Sequence, residues 1–236
     1  PAARRARRVP HRAVRARGRC SQARAGGGIG RGIALLLAKE GAKVVVNDIG
    51  GSATGEGRDA APADKVVAEI TAAGGTAVTN YDSVASLAGG EKIVGTALEK
   101  FGRIDIVVNG AAGNFLCAAE QLSSNGFGTV VDIDTKGTFN VCRAAFETLK
   151  SSKGQILNIS ATLHYLATPM QIHVSAAKAG VDAITRNLSV EWARHGIRVN
   201  GIAPGPIEDT EGMKRLVPQE VKDKIARKIP VGRFGK

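Results

Sequence analysis

Cysteine is scarce in this chain. Cys20, Cys117 and Cys142 are odd in number and show no C-x-x-C spacing, which argues against a disulfide framework or a structural zinc site and fits a reducing interior. Long apolar runs are missing too. Hydrophobic residues make up 43% of the 236 positions, yet no stretch is long enough to cross a bilayer, so a membrane-spanning role is set aside. No set of metal ligands is assigned. Acidic residues are absent from positions 1–24, which hold nine arginines. Most of the net charge of +12 is theirs: without them, 24 basic side chains stand against 21 acidic ones. The arginine-rich stretch has three readings: a targeting peptide, a nucleic-acid-binding arm, or misread GC-rich sequence, since the chain starts with Pro1 rather than Met. The third is preferred and nucleic-acid binding ranks last. Residues 25–236 are taken as the functional unit, a length that suits one α/β domain.

What is present is a regular alternation. Gly26-Gly27-Gly28-Ile29-Gly30 precedes Ile33 to Ala38, a glycine-rich turn opening a helix. Such a turn lets the backbone approach a pyrophosphate at a helix N-terminus, although a flexible glycine linker reads the same way. Val44 to Asp48 follows as a buried strand ending in an acid 20 residues after Gly28. A dinucleotide fold places there the carboxylate that accepts from the adenosine ribose hydroxyls. Helical spacing then runs from Ala63 to Ala73, a strand from Thr76 to Tyr81, a helix from Glu91 to Phe101, and a strand from Ile104 to Asn109. One long amphipathic helix is predicted from Phe127 to Leu149 and a strand from Gln155 to Ser160. Ala177, Val181, Ile184, Leu188 and Trp192 line one face of a further helix, which Gly196 stops before a strand from Ile197 to Ile202. Gly50 to Pro62 reads as a mobile polar loop. Strands alternating with helices mean βαβ units: an α/β, Rossmann-like, doubly wound parallel sheet covered on both faces.

On these motifs the chain resembles the short-chain dehydrogenase/reductase family from about Gly26 to Lys236. The matching features are the glycine turn, Asp82-Ser83-Val84, Asn109-Gly110-Ala111-Ala112, Lys178 in the last-named helix, and Pro204-Gly205-Pro206-Ile207 with Thr210. The resemblance implies a nicotinamide cofactor. Gly28, Ile29 and Gly30 would hold its pyrophosphate, Asp48 its adenosine ribose, and Asp82 and Ser83 its adenine. Asn109, Gly110, Ala111 and Lys178 would serve the inner ribose, and Pro204, Gly205, Ile207 and Thr210 the nicotinamide amide. By helix position alone, Lys178 reads equally as a solvated lysine.

The departures from the family pattern narrow the chemistry. Its Tyr-x-x-x-Lys becomes Val174-Ser175-Ala176-Ala177-Lys178, the catalytic serine position carries Ala161, and the helix asparagine position carries Asp134. This set, with Ala111 to Cys117, Ser160 to Tyr165 and Pro204 to Gly212, is similar to the peroxisomal-type 2,4-dienoyl-CoA reductases. Val44 to Asp82 is more similar to the 3-hydroxyacyl-CoA dehydrogenase domain of multifunctional β-oxidation enzymes. Reducing a carbonyl requires an acid beside the alkoxide, whereas reducing a dienoyl thioester puts charge on the thioester oxygen and protonates carbon later. The expected function is therefore NAD(P)H-dependent reduction of 2,4-dienoyl-CoA in fatty-acid β-oxidation. The alternatives are a 3-hydroxyacyl-CoA dehydrogenase and an inactive nucleotide-binding remnant. Lys178, Asp134 (orienting a protonating water) and Tyr165 (the second candidate donor) are the catalytic assignments. The structural alternatives are a helix-surface carboxylate for Asp134 and a tyrosine packed on the cleft for Tyr165. His164 and His173 flank the same cleft without an assigned role.

Three conflicts accompany this reading. The resemblance implies NADP(H), whereas Asp48 repels a 2′-phosphate and favours NAD(H). The first strand should be a Val/Ile/Leu run, but residues 14–23 read VRARGRCSQA and Arg24 replaces a glycine. A degraded first strand and a final strand missing beyond Lys236 predict weak folding. Relatives act in peroxisomes as homo-oligomers, but the C-terminus carries no Ser-Lys-Leu-type address, and the basic side chains from Lys214 to Arg233 read as a solvated face or a coenzyme A contact.

Overall fold

The computed structural model describes residues 19–23, 27–51, 57, 59–208, 210, 213, 214 and 217–235. The arginines of residues 1–18, and Arg24, lie outside the described residues. Strands β1 (Arg19–Ala23), β2 (Lys43–Asn47), β3 (Thr76–Asn80), β4 (Ile106–Asn109), β5 (Gln155–Ile159) and β6 (Arg198–Ile202) form one parallel sheet in the order β3-β2-β1-β4-β5-β6. The chain moves outward from β1 to β3, then returns to the other side of β1 at β4. That reversal opens a crevice at the carboxyl ends of the strands, where such sheets bind ligands.

The helices are α1 (Gly28–Lys39), α2 (Ala61–Ala72), α3 (Leu87–Phe101), α4 (Ser124–Val131), α5 (Gly137–Ser152), α6 (Ile172–Glu191) and α7 (Gln219–Lys228). Strand β2 shows how the two faces are filled. Val44 and Val46 pack with Ala34, Ala38, Val66 and Ile70 of α1 and α2, while Val45 joins the core of α3 and α5 with Ile93, Ala97, Val141 and Leu149. The period-2 alternation of a strand sends neighbours to opposite faces, so a continuous Val run serves a sheet buried on both sides.

Serine and glycine set the boundaries of α3, including its one difference from prediction. Helix α3 starts at Leu87 because Ser86 caps it, accepting from the Gly89 N–H at 3.1 Å. Gly89 and Gly90 are tolerated in its first turns because the helix is pressed inward: a Cβ on Gly89 would lie 1.8 Å from the Ser83 carbonyl oxygen, and one on Gly90 3.0 Å from that of Asn140. Gly102 and Gly196, both at φ 78°, end α3 and the segment after α6, as the sequence indicated for Gly196.

The long helix predicted from Phe127 to Leu149 is instead two helices joined by a π-helical turn over Asp132–Lys136. A π turn inserts one extra residue into the helical repeat, and here it turns Asp134 fully inward. Despite lacking an apolar run, Arg19–Ala23 occupies the centre of the sheet, with Ala23 in register with Asn47 on one side and Asn109 on the other. Main-chain pairing on both edges satisfies its peptide groups whatever side chains it carries. Beyond β6, Ile207 bridges Gly235, and the Glu208 N–H donates to the Gly235 carbonyl at 2.8 Å. Pro62, placed at the end of a loop by the sequence, sits in the first turn of α2.

Replacing Gly89 by alanine is expected to lower stability by about 1–3 kcal/mol, as overpacking does. Thermal melting should show the loss, while the same change at Gly95, where a Cβ meets nothing within 4 Å, should leave the melting temperature unchanged or raise it.

Candidate active site

Side chains at the carboxyl ends of the strands are polar and tied to one another. Asn47 of β2 donates through Nδ2 to Asn80 Oδ1 at 2.8 Å and to the Asp82 carbonyl at 2.9 Å. Asn80 in turn accepts the Asp82 N–H at 2.9 Å and donates to its carboxylate at 3.0 Å. Asn109 of β4 donates to Asn158 of β5 at 2.9 Å, and Asn158 to Thr185 of α6 at 2.9 Å. These amides hold the strand ends rigid. The Asn109 Oδ1 and the hydroxyl of Ser160 remain buried without hydrogen-bond partners, the arrangement expected where a ligand supplies the missing donor. Cys142 contributes no nucleophile: burial pushes its thiol up to about 12.

The glycine turn stands across from the segment after β6. Gly27, the N-cap of α1, brings no side-chain cap, leaving that helix end to solvent or an anion. Gly28 has φ +50°, and a Cβ built on it would be 3.8 Å from Thr210 Cγ2; one on Gly27 or Gly205 meets nothing within 4 Å. The structure thus sets Gly28 opposite Thr210, which the chain from Pro204, Gly205 and Ile207 leads into, with the Thr210 hydroxyl donating to the Ile207 carbonyl at 3.0 Å; Ile29 and Gly30 follow Gly28 in the first turn of α1. Asp48 lies buried at the end of β2 and accepts from the Gly50 N–H at 2.9 Å. Ser83 follows Asp82 at the end of β3 and accepts from the Ala85 N–H at 3.3 Å. Gly110 and Ala111 follow Asn109. The uncapped end of α1, the open space beside Gly27 and Gly205 and the unpartnered Asn109 Oδ1 and Ser160 hydroxyl are features that fit a dinucleotide.

At the floor of the crevice Lys178 Nζ lies 3.2 Å from Asp134 Oδ2 and donates to the Ile159 carbonyl at 3.0 Å. Asp134 Oδ1 accepts the Gly113 N–H at 2.7 Å. The lysine is 5% exposed and the aspartate 0%, so neither is the surface residue that helix position alone would allow. Three features hold the pair. The π turn aims Asp134, the Thr135 hydroxyl donates to the Ala177 carbonyl at 2.8 Å, and Gly180 lets the turn approach α6, since a Cβ there would lie 2.6 Å from Thr135 Cγ2.

Val174, at the position of the family tyrosine, is 3% exposed and packs with Val130, Ala177, Phe115 and Leu163. The neighbourhood of the lysine is therefore apolar where a phenol would otherwise stand. Tyr165 is not brought to the pair. It is 60% exposed, meets His164 edge-on, and shares no hydrogen bond with Asp134 or Lys178. His164 itself lies between the Ala161 carbonyl at 2.8 Å and Asp182 Oδ2 at 2.7 Å, fastening the loop to α6.

Two features of the site were not legible in the sequence. One is the Gly113 N–H, a backbone group. The other is His173, 0% exposed and stacked on Phe115 at 4.3 Å between ring centres. Burial holds its pKa below the usual histidine value, opposed by the Phe115 backbone and the Asp134 charge. A fully buried histidine one turn before Lys178 is a signal only once burial is known.

Comparison with known proteins agrees with this fold. A family model described as enoyl-(acyl carrier protein) reductase matches residues 23–236. A peroxisomal 2,4-dienoyl-CoA reductase of Arabidopsis thaliana is 46% identical over 220 residues, 89% of this chain and 71% of that protein. A peroxisomal 2,4-dienoyl-CoA reductase of Saccharomyces cerevisiae is 51% identical over 158 residues, 67% of this chain and 52% of that protein. The crystal structure of a short chain dehydrogenase from Bacillus anthracis superposes with a TM-score of 0.83 at 40% identity, covering 94% of this chain and 85% of that one.

Because Lys178 and Asp134 are buried together, removing one leaves the other uncompensated. Asp134→Leu alone should cost about 3–5 kcal/mol, and Lys178→Met with Asp134→Leu together should cost less than the sum of the two single losses. Denaturant unfolding of the four proteins of the cycle measures this coupling.

Proposed function

The chain belongs to the short-chain dehydrogenase/reductase family, and from that premise we propose that it reduces 2,4-dienoyl-CoA thioesters with a reduced nicotinamide cofactor. The observation that carries the reading is the buried Lys178–Asp134 pair at 3.2 Å beside Val174, which fills the tyrosine position with an apolar side chain. A carbonyl reductase built this way would lack its proton donor. A dienoyl reductase needs none beside the hydride acceptor, because charge travels to the thioester oxygen and the proton is later placed on carbon.

Bound reduced nicotinamide supplies the hydride. Lys178, with two of its N–H groups turned to Ile159 and Asp134, would direct the third at the nicotinamide ribose. Asp134 would hold a water by accepting one of its hydrogens. Gly28, Ile29 and Gly30 would receive the pyrophosphate, Asp82 and Ser83 the adenine, Asn109, Gly110 and Ala111 the inner ribose, and Pro204, Gly205, Ile207 and Thr210 the nicotinamide amide. The exposed apolar side chains Leu116, Leu166, Met170 and Ile172 stand on two segments joined by the Cys117 N–H to Met170 carbonyl bond at 3.0 Å. They suit an acyl chain entering from solvent. Tyr165, exposed on the same rim, would contact that chain rather than donate the proton. We assign the activity to the β-oxidation of unsaturated fatty acids in the peroxisome; the relatives named above are peroxisomal enzymes. Among the described residues no helix is long and apolar enough to cross a membrane.

We further propose that Asp48 selects NADH. Its carboxylate ends β2 beside the glycine turn, where a ribose 2′-phosphate would meet a buried negative charge.

Absorbance at 340 nm reports both parts. The reduced cofactor should be consumed with a 2,4-dienoyl-CoA and not formed from a 3-hydroxyacyl-CoA with the oxidised one; the opposite pattern overturns the assignment. Lys178→Ala should abolish turnover, and unchanged turnover would remove the lysine from the mechanism. Fluorescence titration should show NADH binding tighter than NADPH, with Asp48→Ser shifting the ratio toward NADPH by roughly tenfold or more. Tighter NADPH binding by the unaltered chain contradicts the assigned role of Asp48.

A further inference from the structure

Asp134 by itself is a poor device for delivering a proton. A carboxylate only accepts hydrogen bonds, and a water that gives one hydrogen to it becomes more basic, not more acidic. To release its other hydrogen, the water needs a donor on its oxygen that steadies the hydroxide left behind.

The structure offers one such donor that the mechanism above does not use. His173 opens α6, five residues before Lys178, and is 0% exposed. Its ring stacks on Phe115 at 28° between planes. Both ring nitrogens are buried without a partner of hydrogen-bond geometry, although the backbone of Phe115 lies close enough to act on the ring. Leaving a buried polar group unsatisfied costs about 1–3 kcal/mol, and His173 carries two such atoms. The chain gains nothing from an imidazole there unless a ligand or water completes it. The surroundings identify the place. Phe115 lies two residues after Gly113, whose N–H holds Asp134 Oδ1 at 2.7 Å, and the Asp134 charge is felt at the imidazole. The ring and the carboxylate therefore both contact the Gly113–Phe115 segment, the one through its stack on Phe115 and the other through the Gly113 N–H, and Phe115 packs against Val130, Val174 and Ala177.

We propose that His173 is a positioning residue for proton delivery: its imidazole N–H holds the oxygen of the water whose hydrogen Asp134 accepts, so that the second O–H points at the substrate carbon. This rests on the dienoyl-thioester reading. In the step it serves, the dienolate π pair forms a C–H bond with that hydrogen. The water O–H bond breaks, and its electron pair stays on oxygen as hydroxide. The N–H of His173 steadies that charge until the hydroxide takes a proton from solvent as product leaves. The imidazole is neither oxidised nor reduced. Burial keeps it neutral at pH 7, so it retains one N–H to donate and one lone pair.

The full chain is tested with His173→Leu, His173→Phe and His173→Gln, each checked for a cooperative melt and for cofactor binding by fluorescence. In the apolar variants kcat on a dienoyl-CoA should fall on the order of 10²-fold, with cofactor affinity and melting temperature held or raised. The solvent deuterium isotope effect on kcat should increase, because proton delivery becomes limiting. His173→Gln, which keeps an N–H donor, should recover part of the loss. Any variant that melts cooperatively decides the matter through the isotope effect. A fall in kcat with an unchanged isotope effect, or a kcat within about twofold of the unaltered chain, overturns the proposal while leaving the dienoyl reading intact. An unaltered chain that binds cofactor but does not consume the dienoyl-CoA overturns both.

Discussion

A lysine and an aspartate removed from water together govern the centre of this molecule. Each charge alone would be expensive to bury, so each requires the other, and each is also fixed by a backbone group: the Ile159 carbonyl for Lys178 and the Gly113 N–H for Asp134. Four separate parts of the chain thereby converge on one point: the end of β5, the segment after β4, the π turn before α5, and α6. The close approach of Gly180 to Thr135 and the bond from Thr135 to Ala177 serve the same convergence. A shift of any of these elements would separate the charges.

The chemistry follows from what surrounds the pair. The apolar packing of Val174 with Phe115, Val130 and Leu163 excludes a phenol and keeps the local dielectric low. In such a setting fixed donors and charges act strongly on developing charge and need little reorganisation. In the proposed function, the tied asparagines at the strand ends and the glycine turn facing Thr210 would form the cofactor side of the same crevice. The exposed apolar side chains from Leu116 to Ile172 would form the side open to an acyl chain. An elongated cofactor and an elongated substrate would thus meet over Lys178 and Asp134.

Much of this was readable from the residues in order. Runs such as Val44-Val45-Val46, the glycine turn, and the apolar spacing of α6 carry their structure locally, because period and steric preference belong to neighbouring residues. The fold class, the alternation and the position of Lys178 in its helix followed. The first strand carries no apolar signature in its residues, so its place in the sheet shows only in its backbone pairing with β2 and β4. The break at Asp132–Lys136 was missed because a π turn keeps helical composition and has no residue signature.

By itself the sequence determined the succession of strands and helices, the absence of a tyrosine beside the lysine, and the acid that ends β2, since each is a matter of residue type at a given spacing. Only the tertiary structure decided which polar groups lose contact with water. Burial arises from elements distant in the chain, and it turned Asp134 from a helix carboxylate into the partner of Lys178, left Tyr165 exposed away from that pair, and stacked His173 on Phe115, two residues after the Gly113 whose N–H holds Asp134.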